Sequence, residues 1–213
     1  MTTKPALTST SLIDCLDKKD NELIVVEGLS AANAIKSVRN RQLHAVLPMQ
    51  GKIPNANRTS AERLLSHPNI ADLLQSLHPQ RLAEARMDGC RYRRIIILAD
   101  PDADGVHASI LLVMFMLQQL PDLVRQERLY LVRAPLYGFY RFETCMAVAY
   151  SEQHAETVYA ELTGSGNQAI EKRRYKGIAS LDTNHRLQLL AQDYPSRWNL
   201  SLNDCRELCK ALL

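Results

Sequence analysis

Two short apolar runs that end in carboxylates constrain this chain more than any other feature. Leu23-Ile24-Val25-Val26 runs into Glu27, and Arg94-Ile95-Ile96-Ile97-Leu98 leads through Ala99 to Asp100, Asp102 and Asp104. Both runs are continuous and rich in β-branched residues rather than alternating, which is the pattern of a strand covered on both faces in a parallel sheet. Helical spacing follows each: Ala31, Ala34, Ile35 and Val38 after the first, and an apolar stretch from Gly105 to about Gln119 after the second. Each therefore reads as a β–α unit. Ligands of such sheets bind at the carboxyl ends of the strands, and the acids stand there.

The remaining chain fits the same class. Ser30 is expected to cap a helix to about Arg41, and Pro48 to end a short strand at Ala45–Leu47. One helix is expected from Ala61 to about Leu77, whereas His78 to Arg93 has no clear period and reads as a variable insertion. Leu129–Val132 and Ala147–Tyr150 read as strands, and His154–Leu162 as a helix. Thr163 to Asn167 reads as a flexible link. The tail predicts two helices broken near Pro195, the second with Cys205, Leu208, Cys209 and Leu212 in register behind a Ser201 cap. The expectation is an α/β, Rossmann-like fold with about four parallel central strands, flanking helices and a small C-terminal helical tail. Its divisions are a loose leader over 1–21, the domain over 22–180 and the tail over 181–213.

Bulk properties exclude several classes. With 213 residues the chain can bury a sizeable core. Its longest apolar stretch, Ile110 to Leu117, is far short of the roughly 18 residues of a membrane span, so no membrane partner is expected. The first residues lack the apolar core of a secretory signal. Five scattered cysteines form no disulfide framework, which points to a cytoplasmic protein. Cys205 and Cys209 share a helix face and read as buried thiols. A net charge of +3 permits a nucleic-acid partner without requiring one. Basic residues cluster locally before the second run (Arg91, Arg93, Arg94) and at Lys172, Arg173, Arg174 and Lys176. Such clusters are either solvated surface or a phosphate track.

The segment Asp100-Pro101-Asp102-Ala103-Asp104-Gly105 carries the chemistry. Three carboxylates along a turn at a strand end, with the first and third able to point the same way, repel one another unless a cation neutralises them. Hard oxygen donors suit magnesium. A calcium loop of the EF-hand type is excluded, because the twelfth position is Leu111 rather than glutamate and a strand precedes the loop. Glu27 ends the neighbouring run in the same way, so both acidic sites can face one metal.

Five ordered segments resemble the TOPRIM region of the gyrase B subunit, topoisomerase IV and related type II topoisomerases. They are Glu27-Gly28-Leu29-Ser30-Ala31, Leu47 to Asn55, Asp100 to Gly105 followed by His107, Ala134-Pro135-Leu136-Tyr137, and Arg174-Tyr175-Lys176-Gly177. They are similar to the family's EGDSA, PLxGKxLN, DxDxDGxH, PPLY and RYKGLGEM motifs, over roughly Glu22 to Ile178. The resemblance implies a TOPRIM fold with Glu27 as general acid/base on the 3′ oxygen of a cleaved strand. It implies Glu27, Asp100, Asp102 and Asp104 as ligands of Mg2+, for which Mn2+ can substitute, and Lys52, Arg174 and Lys176 as DNA contacts. The chain departs from the pattern at Leu29, where the family has aspartate. It also departs at Pro54, and after Gly177, where Ile178-Ala179-Ser180-Leu181 replaces the second glycine and the glutamate.

The resemblance also implies parts expected to be supplied elsewhere. Only 21 residues precede the first strand, so no ATP site is expected in this chain. The tail is too short for the module that carries the nucleophilic tyrosine. Three functions follow as expectations: a partner of a gyrase A-type or topoisomerase IV A-type subunit that completes a cleavage site on DNA, a non-catalytic gyrase-B mimic that binds such a subunit or DNA, and a metal-dependent nuclease.

Overall fold

The computed structural model describes residues 11–77, 90–164 and 169–210. Residues 1–10, most of the expected insertion (78–89), part of the expected link (165–168) and 211–213, with Leu212, lie outside the described residues. The central sheet has five strands: β1 (Glu22–Glu27), β2 (His44–Met49), β3 (Arg94–Ala99), β4 (Leu129–Arg133) and β8 (Arg197–Asn199). Their order is β2-β1-β3-β4-β8, the first four parallel and β8 antiparallel to β4. The four parallel strands are those the sequence led us to expect.

The unbroken apolar runs are explained by two-sided burial. Leu23, Val25, Ile95 and Ile97 enter the core on one face, and Ile24, Val26, Ile96 and Leu98 the core on the other. All eight are at most 2% exposed, each contributing about 1.5–3 kcal/mol by leaving water. α1 (Gly28–Lys36) packs Ala31, Ala32, Ala34 and Ile35 into the second core, whereas α4 (Ala103–Gln119) packs Leu111 to Met116 into the first. Neighbouring β1 and β3 thus send their chains to opposite faces. This is the topological switch point at which open α/β sheets hold ligands, and it lies between Glu27 and Asp100.

Several boundaries differ from the sequence expectation. α1 starts at Gly28 with Glu27 at its N-cap rather than at Ser30. The stretch from Ala61 is two helices, α2 (Ala61–Leu65) and α3 (Pro68–Leu77), since Pro68 cannot continue a helix but can begin one. A further short helix, α5 (Pro121–Arg125), follows α4.

Pro48 lies within β2 instead of ending it. β2 is a sheet edge, and the Val46 N–H points away from β1 to Ile13 O at 2.9 Å. The nitrogen two residues on faces the same way, so Pro48 removes no bond from the ladder. The same contact attaches the end of the expected leader to the sheet, where Asn21 is also buried and accepts the Arg93 N–H.

A second, antiparallel sheet has the order β6-β5-β7, built from β5 (Tyr137–Arg141), β6 (Thr144–Ala149) and β7 (Glu171–Arg174). α6 (Glu152–Gly164) covers it, with Ala155 and Val158 packed on Phe139. β5 and β7 escaped the sequence reading. β5 contains a glycine, and β7 is the wholly charged Glu-Lys-Arg-Arg, with no apolar alternation to betray a strand. The tail contains α7 (Thr183–Leu189) and α8 (Leu202–Lys210) as expected, but the break near Pro195 also holds β8. Among the described residues, no helix is long and apolar enough to cross a membrane.

Candidate metal and nucleic-acid site

β1 delivers Glu27 to the carboxyl edge of the sheet, and β3 delivers Asp100 beside it. Glu27 Oε2 is shielded from solvent and meets no hydrogen-bond donor among the described residues. Burial raises the Glu27 pKa above the usual glutamate value, and the charges of Asp100 and Asp102 raise it further, while Lys52 opposes the shift. Burial also raises the Asp100 pKa; a hydrogen bond from Ile178 opposes this and Asp102 adds to it. Burial and the neighbouring carboxylates thus both disfavour the charged form of Glu27, a penalty that a nearby cation would relieve.

The aspartate triplet does not lie along an extended turn. α4 begins at Ala103, so Asp102 sits at the N-cap and accepts the Gly105 N–H at 2.8 Å. Asp100 Oδ1 accepts the backbone N–H of Ile178 at 2.8 Å. Asp104, in the first turn of the helix and exposed, accepts from Lys52 Nζ at 2.7 Å. Each carboxylate has found a donor of its own. Among the described residues no three acidic, histidine or cysteine side chains stand as a ready metal cluster.

Glycine permits the close packing around Asp100. A Cβ on Gly105 would meet the Asp100 carbonyl oxygen at 2.3 Å, and one on Gly177 would meet Asp100 Oδ2 at 2.9 Å. Gly177 also has φ +152° and ψ 174°, backbone that is essentially reserved for glycine. The loop after β2 supplies Lys52, which lines a cavity of about 20 Å3 together with Glu27, Ser109 and the ends of β1 and β3. That volume suits one water-sized occupant.

The structure brings Glu27, Asp100, Asp102, Asp104 and Lys52 to one edge. Lys176, exposed, precedes Gly177, whose backbone packs against Asp100; Arg174, also exposed, lies at the end of β7. The neighbouring basic residues are engaged. Lys172 Nζ stands 4.1 Å from the centre of the Tyr137 ring, and Arg173 stacks on Tyr140 and bonds Glu171. Two participants received no role in the sequence reading. His107 places Nδ1 3.3 Å from Lys52 Nζ, and the Ile178 N–H holds Asp100. His107 was visible in its motif, but a main-chain donor from a distant turn leaves no signal in a sequence.

A Toprim domain model matches residues 22–133, more than half of the chain. The chain belongs to the Toprim family. This Toprim chain is 40% identical over 163 residues to the B subunit of DNA topoisomerase 4 from Bartonella bacilliformis, covering 75% of the chain and 23% of that relative. It is 34% identical over 173 residues to the B subunit of DNA gyrase from Metamycoplasma hominis, covering 80% and 26% respectively. The chain spans about a quarter of the length of these relatives. Its fold is also that of the DNA-binding, cleavage and re-ligation domain of Plasmodium falciparum topoisomerase II, with a TM-score of 0.69 at 20% identity over 88% of this chain and 27% of that one. The family and fold implied by the sequence motifs are thus established. Leu29, which stands where the motif has aspartate, is 56% exposed at the start of α1.

Proposed function

We propose that this Toprim chain binds magnesium and DNA, and completes a type II topoisomerase-like cleavage and religation site with an A-type partner subunit that carries the attacking tyrosine. The observation that carries this reading is the shielded, unpartnered oxygen of Glu27, set among Asp100, Asp102 and Lys52 at the sheet's switch point. An orphaned carboxylate oxygen among further carboxylates fits a hard divalent cation. Glu27, Asp100, Asp102 and Asp104 would hold the magnesium, or manganese in its place. A bound ion would supply positive charge to a leaving or attacking oxygen.

The chain's own residues account for the rest. Glu27, its pKa raised by burial and by the neighbouring aspartates, is suited to hold or release a proton. Lys52, Arg174 and Lys176 offer positive charge to the phosphate backbone. A regulatory reading, in which the chain mimics a gyrase-B-type protein and docks without chemistry, is favoured by exposed Leu29, an apolar side chain where a charged one is expected.

One experiment separates these readings. Supercoiled plasmid is incubated with magnesium, the chain and a gyrase A-type or topoisomerase IV A-type subunit, and cleaved DNA is trapped with denaturant. The expected result is cleavage that needs both proteins and disappears in Glu27→Gln. Complex formation without cleavage supports the mimic. Nicking by the chain alone, lost in Glu27→Gln, supports a nuclease.

A further inference from the structure

We propose that Lys52 is an exchangeable counter-cation of the carboxylate site, so that DNA phosphate and metal ion bind cooperatively: phosphate draws Lys52 away from Asp104, and the metal takes the place Lys52 leaves. This rests on the reading above, that the site takes magnesium and DNA.

The geometry is specific. Lys52 reaches from the loop after β2 to the first turn of α4, where Asp104 Oδ1 accepts at 2.7 Å and His107 Nδ1 lies at 3.3 Å. Asp104 and His107 stand three apart on one helix face and form a fork around the ammonium. Gly51, at φ +81°, turns the chain so that Lys52 points there. Lys52 also lines the cavity beside Glu27 and draws the pKa of both Glu27 and Asp104 downward. It is one cation among four carboxylates, and it occupies a carboxylate that the proposed metal needs.

The pair is exchangeable because it is exposed. The Asp104 side chain is 77% accessible and that of Lys52 34%, and pairs of this kind hold weakly in water. A phosphate oxygen can compete for such an ammonium, whereas a buried pair would not yield. Freed Asp104 restores a full negative charge for the metal, and a metal on Asp104 releases Lys52 to the phosphate. Linkage requires the two effects to be equal, at about two- to five-fold for a pair of this exposure.

The test measures binding, not turnover. Affinity of the full chain for a fluorescein-labelled duplex is read by anisotropy, with and without saturating magnesium at matched ionic strength. Magnesium affinity without DNA is read by calorimetry. Magnesium is expected to tighten duplex binding about two- to five-fold in the wild type. In Lys52→Met, magnesium alone binds tighter by a similar factor, and the magnesium dependence of duplex binding vanishes. Lys176→Met, which removes a proposed phosphate contact outside the pair, weakens duplex binding and keeps its magnesium dependence. Retained magnesium dependence in Lys52→Met, or unchanged magnesium affinity, overturns the inference while leaving the metal site standing. No magnesium binding by any of the three proteins overturns both. Lys52 lies at the surface, so its substitution leaves the core intact, and a melting curve checks this.

Discussion

Asp100 Oδ1 accepts the Ile178 N–H at 2.8 Å across 78 residues of sequence, joining the acidic turn after β3 to the turn after β7. Without this bond, burial and the Asp102 charge would act on the Asp100 carboxyl unopposed, and both favour its neutral form.

Gly177 makes that approach possible, so Gly177→Ala should displace it. A methyl group there meets the Asp100 carboxylate in backbone that other residues avoid. The expected loss of stability is about 1–3 kcal/mol, read from urea unfolding, with a fall in magnesium affinity. An unchanged midpoint and unchanged affinity would show that the turn is not a support for Asp100.

The raised pKa values of Glu27 and Asp100 predict a pH dependence. An acid whose pKa is higher folded than unfolded binds more protons when folded, so stability falls as pH rises through the window above the ordinary carboxylate range. Glu27→Gln should therefore stabilise the metal-free protein at pH 7, by about 1 kcal/mol for relief of a shielded, unpartnered charge. It should also flatten the decline as pH rises above the ordinary glutamate value of 4.5. Melting curves at several pH values with chelator present check this, and a steeper decline in the variant would refute it.

Magnesium should reverse the same penalty. At ten times its dissociation constant it adds about 1.4 kcal/mol, seen as a higher melting temperature. An Asp100→Ala, Asp102→Ala double variant should show no such rise. An equal rise in both proteins would place the ion elsewhere.

Arg197 and Glu22 join the tail to the first strand. Arg197 Nη2 donates to Glu22 Oε1 at 2.8 Å, and both side chains are 3% exposed. Arg94 also bonds Glu22, at 3.1 Å, and His44 Nε2 lies 3.6 Å away. Arg197→Met should cost about 3 kcal/mol, because it strips a buried carboxylate of its most shielded partner. A double variant with Glu22→Met should recover much of that loss. Equal stability of Arg197→Met and wild type in denaturant titration would show that β8 is held by its backbone alone.

The sequence by itself determined the parallel sheet and the acids at its edge. Runs such as Leu23–Val26 and Ile95–Leu98 are apolar at every position because both faces are buried, and that demand is written residue by residue. The motifs around Glu27, Asp100 and Lys176 made the family legible for the same reason: each is local. What only the tertiary structure decided depends on partners far apart in the chain. β7 is a strand because β5 pairs with it, although its own residues are all charged, and β8 because β4 offers an edge. Each aspartate of the triplet points toward the donor it found: Gly105 within its own helix, Lys52 from another loop, Ile178 from the turn after β7. Local spacing sets which side chains reach the edge, but hydrogen-bond donors brought there by folding set where they point.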